Sequence, residues 1–229
     1  MAKWSGLYLH GFLSSEQSKK GQWFLNQVEE AIKSESLPHT KPDLMGVGSD
    51  SGVLRWQDFR AISYPMSEVK ESVQVIENKL KKMLNQKVSR VFIMGSSMGG
   101  FYAQYFGQKY QLPYVMINPA LNIDELFKAN LGEYVNQITG EKINVNEKYI
   151  DNLANFRISE LDYKVPSLLL IDRDDEVIDI EYCLQHYSDS MLEHSVSKTI
   201  VYNGGDHSFI HLDEAWLELK QFLLKCNAS

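Results

Sequence analysis

One serine of this chain lies in a pattern that could make it a nucleophile. The segment GSSMG at 95–99 matches the motif G-x-S-x-G, and an apolar run at 91–94 precedes it. Where this motif joins a strand to a helix, its two glycines let the backbone turn sharply, so the hydroxyl of Ser97 would stand clear of the sheet. The N–H groups of the following helix would then face charge that develops near Ser97. A purely structural turn rich in Gly and Ser is the alternative interpretation.

A serine hydroxyl is a weak nucleophile at neutral pH, so Ser97 needs a general base. His207 is the candidate because it lies in the turn NGGDHSF, directly after the apolar run 199–202. Catalytic groups in open α/β sheets collect at the carboxyl edge, which is where such a turn would place an imidazole. The nearest competitor, His211, is expected to begin the last helix. A surface histidine without a chemical role is the alternative for His207.

The base in turn needs an acid that orients it, and four aspartates compete for that role. They follow the apolar run 167–171 in the stretch DRDDEVID. A carboxylate several residues beyond a strand can turn back toward the histidine, whereas Asp172 is too close to the strand end. We select Asp175, with Asp174 and Asp179 as rivals. Most acidic loop residues are solvated, and we expect this of the carboxylates that are not selected.

Attack of Ser97 on a carbonyl group would also require two N–H donors for the oxyanion. The backbone N–H of Met98 is one candidate. The other is the N–H of Phe12, with that of Leu13 as an alternative, because Gly11 lets the chain turn out of the strand that ends before it. His10 orders this loop in our interpretation, since no acid partner for it is apparent.

Candidate walls of a substrate pocket lie close to these groups in the sequence. Leu13 follows the turn proposed for the oxyanion, Phe101 follows the serine turn, and Phe209 follows the histidine. Aromatic side chains beside strands belong more often to the core, so burial there is the alternative for both phenylalanines. Part of the segment 120–165 is expected to bound the same pocket.

The elements that must position these groups follow from hydrophobic periodicity. Apolar runs typical of parallel strands covered on both faces occur at 6–9, 91–94, 114–117, 167–171 and 199–202, with a weaker candidate at 37–41. Helical spacing recurs in Phe24, Val28, Ala31 and Ile32, in Val69, Val73, Ile76, Leu80 and Met83, and in Trp216, Leu219, Phe222 and Leu223. We therefore predict an α/β fold with a mostly parallel sheet of about six strands and helices on both faces.

The length of 229 residues favours a single α/β domain that carries an insertion. The alternation of strands and helices breaks at 120–165, where Asn, Glu, Lys and Tyr dominate and the apolar periods are short. We expect this segment to form a cap or lid over one end of the sheet. A surface helical excursion without such a role is the alternative.

Composition narrows the classes of partner. The chain has 23 Lys and Arg against 30 Asp and Glu, a net charge of −7 that repels phosphate backbones and acidic membrane surfaces. We expect a small-molecule substrate, no nucleic-acid or membrane partner and a cytoplasmic location; the oligomeric state stays open. Cys183 and Cys226 lie far apart without ligand spacing, so we expect reduced thiols and no metal site.

Five segments, taken in order, resemble the motif set of the α/β-hydrolase superfamily: LYLHGF, PDLMGVGSDSG, MGSSMGG, LLLIDRDDEV and NGGDHSF. Within it, HGFxSS…SK, GSSMGG followed by aromatic residues, INPA, DEV and GGDHSF are similar to the small bacterial YqiA-type esterases. The resemblance implies the α/β-hydrolase fold, with Ser97 as nucleophile, Asp175 as acid and His207 as base. It also implies an oxyanion hole made by the amides of Phe12 and Met98.

Together these observations predict a serine hydrolase that cleaves small carboxylic acyl esters through an acyl-serine intermediate, without metal or cofactor. Thioesters and other small acyl substrates fit the same three side chains. A binding protein that keeps the scaffold without activity is the alternative from another class. Hydrolases that use a carboxylate nucleophile are disfavoured because position 97 is Ser.

Overall fold

A six-stranded parallel sheet forms the centre of the molecule. The computed structural model describes residues 3–35, 53–86, 89–188 and 195–228. The strands found there, in chain order, are β1 (Lys3–Leu9), β2 (Trp56–Ile62), β3 (Ser89–Ser97), β4 (Tyr114–Pro119), β5 (Gly132–Val135), β6 (Lys142–Val145), β7 (Ser167–Asp172) and β8 (Lys198–Tyr202). The sheet has the order β2-β1-β3-β4-β7-β8 with every neighbouring pair parallel, and β5 and β6 form a separate antiparallel hairpin.

Helices cover both faces of this sheet. Within the described ranges they are α1 (Lys19–Glu35), α2 (Val69–Asn85), α3 (Met98–Tyr110), α4 (Ile123–Lys128), α5 (Glu147–Ala154), α6 (Ile180–His186) and α7 (Leu212–Ala228). Successive strand residues point to opposite faces. Phe92 and Met94 of β3 therefore join the core cluster of α1 and α7, whereas Ile93 joins that of α2 and α3. Both faces are buried, which explains why the strands are continuous apolar runs.

The predicted α/β architecture is confirmed. The five strong apolar runs form β1, β3, β4, β7 and β8, and the three segments of helical period form α1, α2 and α7. The weaker strand predicted at 37–41, and the segment PDLMGVGSDSG at 42–52, lie outside the described residues. Hydrophobic continuity does not predict β2, because Gln57, Asp58 and Arg60 interrupt it. This strand lies at one end of the strand order, where a partly exposed sequence is tolerated.

The segment between β4 and β7 contains α4, the β5–β6 hairpin and α5. Polar contacts attach it to the rest of the molecule: Asn136 Nδ2 donates to Ser14 O at 2.8 Å, and Glu141 Oε1 accepts from the amide of Met66 at 2.7 Å. Tyr149 Oη donates to Met66 O at 2.9 Å. Apolar residues of the hairpin and α5 share one core cluster with the sheet. A cap or lid role for 120–165 stays a prediction.

Two further sequence features can be located. Cys183 and Cys226 are both buried, and neither forms a disulfide bond with a residue that the structure describes. Among the residues that the structure describes, no helix combines the length and apolar character needed to cross a bilayer.

Candidate active site

Ser97 occupies the sharp junction between β3 and α3. It is the last residue of β3, its φ and ψ are 55° and −124°, and α3 begins at Met98. A Cβ on Gly95 would overlap the carbonyl of Gly99, and a Cβ on Gly99 would overlap the carbonyl of Leu9. The two glycines of the motif are thus sterically required, because β1, β3 and α3 meet too closely for side chains. The positive φ of Ser97 is the strain that this junction imposes.

His207 reaches Ser97 from the loop after β8. Its Nε2 lies 3.0 Å from Ser97 Oγ, and its Nδ1 lies 2.8 Å from Asp175 Oδ2 and 3.1 Å from Oδ1. Nδ1 donates to the ionised carboxylate, which leaves Nε2 as the acceptor for the serine hydroxyl. The histidine side chain is 26% exposed and that of Asp175 is fully buried. The structure therefore brings together the three residues predicted to do the chemistry.

Asp175 is held as an anion by donors around it. Burial raises the pKa of this carboxyl, but His207 and the amides of Val177 and Ile178 favour its charged form. Those amides lie 2.8 Å and 3.1 Å from Oδ1. The net effect lowers the pKa below its usual value of 3.8, so Asp175 is ionised at neutral pH.

The other three aspartates of this segment lie in other environments and form no hydrogen bond with His207 within the described residues. Asp174 is exposed, and Asp179 is the N-cap of α6, where its side chain accepts from the amide of Tyr182 at 2.9 Å. Asp172 is buried at the end of β7 and contacts His211. Asp175 alone of the four contacts His207 among the hydrogen bonds of the described chain.

The loop after β1 passes directly beside the serine. A Cβ on Gly11 would lie 3.1 Å from Ser97 Cβ, and Leu13 has a positive φ of 56°. Phe12 and Met98 both line the cavity at Ser97. An oxyanion hole made by their amides stays a prediction, which this placement permits.

His10 contacts Tyr64 and its own loop, and none of the hydrogen bonds of the described residues joins it to Ser97. Its ring stacks on Tyr64 with 4.3 Å between centroids, and its Nδ1 lies 2.8 Å from Gly11 O. Burial lowers the pKa of His10, which favours the neutral ring. These contacts order the loop that leads to Phe12.

A cavity of about 250 Å³ opens at Ser97 and His207. The remaining lining residues are Phe12, Leu13, Met98, Ala120, Ile123, Leu126, Phe127, Asn130, Tyr134 and Val177. Leu13 lies in the wall as predicted. Phe101 and Phe209 are buried in the two core clusters, on opposite faces of the sheet, and do not line this cavity. These two phenylalanines are therefore core residues, which was the alternative interpretation of their sequence positions.

Sequence reasoning missed the individual cavity residues of the segment 120–165. Phe12 packs edge-on against Phe127, with centroids 4.9 Å apart, and against Tyr134 at 5.4 Å. The spacing of Ile123, Leu126 and Phe127 is that of one helix face, and this signal was available in the sequence. It does not reveal which structure that face meets.

Comparisons with known proteins agree with this fold. The model of a family described as "Uncharacterised protein family (UPF0227)" matches residues 54–224, which is most of the chain. Est1E from Butyrivibrio proteoclasticus has 14% identity and a TM-score of 0.68, over 100% of this chain and 89% of Est1E.

Two further solved structures are similar over most of their length. Alpha/beta hydrolase domain-containing protein 10 from mouse has 16% identity and a TM-score of 0.63, covering 96% of this chain and 89% of its own. A monoacylglycerol lipase from Paleococcus ferrophilus has 13% identity and a TM-score of 0.60, covering 96% and 94%. At these identities the likeness establishes the α/β-hydrolase fold.

Proposed function

The chain belongs to the uncharacterised protein family UPF0227, and we propose that it is a serine hydrolase that cleaves carboxylic esters with small, uncharged acyl groups. One observation carries this proposal: Ser97 Oγ lies 3.0 Å from His207 Nε2 while the other ring nitrogen is hydrogen-bonded to Asp175. A hydroxyl, an imidazole and a buried carboxylate in this order activate a serine for acyl transfer.

In the proposed reaction, His207 Nε2 accepts the Ser97 proton as Oγ bonds to the ester carbonyl carbon. The resulting imidazolium is stabilised by Asp175, which stays ionised. His207 then gives its proton to the departing alkoxide as the carbon–oxygen bond breaks, leaving an acyl-serine. Water, deprotonated by the same imidazole, attacks the acyl-serine and releases the acid and Ser97. The amides of Phe12 and Met98 are the proposed donors to the oxyanion of each tetrahedral intermediate.

The cavity lining supports a small, uncharged acyl group. Among the described residues that form its walls there is no Lys, Arg, Asp or Glu, and most are apolar. An acyl carboxylate would be desolvated there without a cation to pair with it. The Paleococcus ferrophilus protein of the same fold is named a monoacylglycerol lipase, which is consistent with an ester substrate.

The experiment uses p-nitrophenyl butyrate and a fluorophosphonate probe on the purified protein. We expect a burst of p-nitrophenol and labelling of one serine, with Ser97→Ala reducing kcat by about 10⁴-fold or more and abolishing labelling. Ser96→Ala is the matched control, because Ser96 is the buried neighbour in the same turn and is expected to keep both signals. No burst and no labelling in the wild type would favour a binding protein instead.

The same assay tests the acyl group. We expect kcat/KM for the hemisuccinate ester to be at least about tenfold below that for the butyrate ester, because its terminal carboxylate would be desolvated unpaired. The kcat/KM for esters of longer acyl chains should decrease once the acyl group fills the cavity. Comparison with the matching thioesters shows which leaving group is preferred. Equal turnover of hemisuccinate and butyrate would contradict the proposed acyl preference while leaving the serine mechanism intact.

A further inference from the structure

Two residues that fall outside the proposed catalytic set form a second aspartate–histidine pair. His211 Nδ1 lies 2.7 Å from Asp172 Oδ1, just before α7 begins. The Asp172 side chain is fully buried and that of His211 is 19% exposed. A buried carboxylate is retained only where donors satisfy it, so this pair calls for a physical explanation.

Asp172 binds the loop that carries His207 at its far end. Besides His211, its carboxylate accepts from the amide of Ile210, with Oδ2 at 2.9 Å. Gly205 lies against the same oxygen so closely that any Cβ there would overlap it. The carboxylate at the end of β7 thus touches the loop on both sides of His207.

Other groups hold the same loop near its middle. Asn118 of β4 accepts from the Asp172 amide at 2.8 Å and donates through Nδ2 to Asp206 O at 2.9 Å. Lys20 of α1 donates to Ser208 O at 3.1 Å and lies 3.4 Å from His207 O. The loop is therefore attached to β4, β7 and α1, and its conformation is set by these attachments together with its own turns.

His211 also connects this arrangement to β8. Its ring stacks on Tyr202, the last residue of β8, with centroids 4.7 Å apart and planes 12° from parallel. The loop leaves β8 at Tyr202 and returns at His211, so the two ends of the loop pack on each other. The hydrogen bond to Asp172 fixes that closed loop against the neighbouring strand.

We propose that Asp172 and His211 are positioning residues, which hold the 203–211 loop so that His207 Nε2 stays within hydrogen-bond reach of Ser97. This inference rests on the proposed function. Neither residue takes part in proton transfer; they act through the backbone on either side of His207. A displacement of about 1 Å at a reacting group can cost about 100-fold in rate, so a modest loosening of the loop is sufficient for a measurable effect.

Two substitutions of His211 separate its hydrogen bond from its ring. His211→Phe keeps an aromatic ring on Tyr202 and removes the donor to Asp172. His211→Asn removes the ring and keeps a donor near the place of Nδ1. We expect His211→Phe to lower kcat about 10- to 100-fold with KM within about twofold of the wild type, and His211→Asn to recover most of that loss.

The rate must be expressed per active site, counted by fluorophosphonate labelling at completion. A merely structural role would reduce the number of active sites or the melting temperature but leave kcat per site unchanged, and that result would overturn the proposal. Equal losses in His211→Phe and His211→Asn would overturn it as well. If His211→Phe does not fold, Asp172→Asn carries the test, since it keeps the shape and one acceptor, and kcat per site equal to the wild type refutes positioning.

A second readout does not depend on turnover. The proton on His207 Nδ1, bonded to Asp175, should give a far-downfield NMR signal that His207→Asn removes and thereby assigns. We expect this signal to broaden or disappear in His211→Phe and to persist in His211→Asn. If the wild type hydrolyses no ester, the proposed function has failed, yet this signal still decides whether His211 holds the loop. An unchanged signal in His211→Phe refutes the proposal.

Discussion

The two aspartate–histidine pairs at the carboxyl edge of the sheet are alike in chemistry and differ in what lies beyond the imidazole. Both histidines use Nδ1, at 2.8 Å from Asp175 and 2.7 Å from Asp172, and both carboxylates are fully buried. Beyond His207 is the hydroxyl of Ser97, whereas the ring of His211 stacks on Tyr202. The same hydrogen bond between a carboxylate and an imidazole can therefore have different roles, and the role depends on the group that the imidazole contacts on its other side.

The carboxylates also differ in which backbone they bind. Asp175 accepts amides of its own loop, two and three residues ahead. Asp172 accepts the amide of Ile210, which is remote in the chain. Apart from its histidine, Asp175 binds the backbone of its own turn, whereas Asp172 also binds the backbone of the 203–211 loop. Substitutions in the first pair should therefore act on the chemistry, and those in the second on the placement of the loop.

The largest expected effect separates the proposed catalytic pair, Asp175 and His207, from its neighbours. Asp175→Asn should reduce kcat about 10⁴-fold, because an amide no longer fixes the tautomer in which Nε2 accepts the Ser97 proton. Asp174→Asn, at an exposed carboxylate in the same loop, is the matched control, and its kcat should stay within about twofold of the wild-type value. Steady-state kinetics of both variants measure the difference. A damaging Asp174→Asn with a mild Asp175→Asn would show that the acid is misassigned.

A smaller effect should come from breaking the second pair through the backbone. Gly204 and Gly205 have φ of 77° and 83°, so alanine at either site carries left-handed strain of about 1–3 kcal/mol. Only at Gly205 does the new methyl also overlap Asp172 Oδ2, since the space at Gly204 is open. We expect Gly205→Ala to lose at least about tenfold more kcat than Gly204→Ala.

Kinetics and the free energy of unfolding, measured on both alanine variants, make that comparison. Because the backbone strain is shared, the difference between them reports the displacement of Asp172. Similar kcat values for the two variants would mean that the Asp172 contact does not control His207.

The smallest expected effect is on how the free energy of unfolding depends on pH. The lowered pKa of Asp175 means that its ionised form favours the folded state. That contribution is fully present above the usual value of 3.8 and is lost as the pH falls through the lower folded value. The difference in unfolding free energy between the wild type and Asp175→Asn should therefore be greatest near neutral pH and shrink as the solution is acidified.

Urea unfolding at a series of pH values, down to the lowest at which both proteins remain folded, tests this expectation. Asp174→Asn serves as the control for loss of one loop charge. A difference that grows on acidification would mean that the buried carboxyl is destabilising when ionised.

Much of the architecture could be predicted from local patterns. Strands covered by helices on both faces must be apolar along their whole length, and that rule identified five strands of the sheet. It could not identify β2, whose Asp58 and Arg60 are tolerated at the end of the strand order. The glycines around Ser97 were informative for a similar reason, because backbones that pack this closely leave no room for a Cβ and so require glycine.

The sequence by itself determined which residues have the chemistry to act here: a serine in a glycine turn, a histidine after one strand and a cluster of aspartates after another. Only the tertiary structure shows which aspartate contacts His207 and that Asp172 pairs with His211. It also shows that Phe101 and Phe209 lie in the core, and that Phe127 and Tyr134 pack against Phe12. The physical reason is that residue type and turn geometry are local properties. Which carboxylate meets which imidazole depends instead on how strands distant in the chain align at one edge of the sheet.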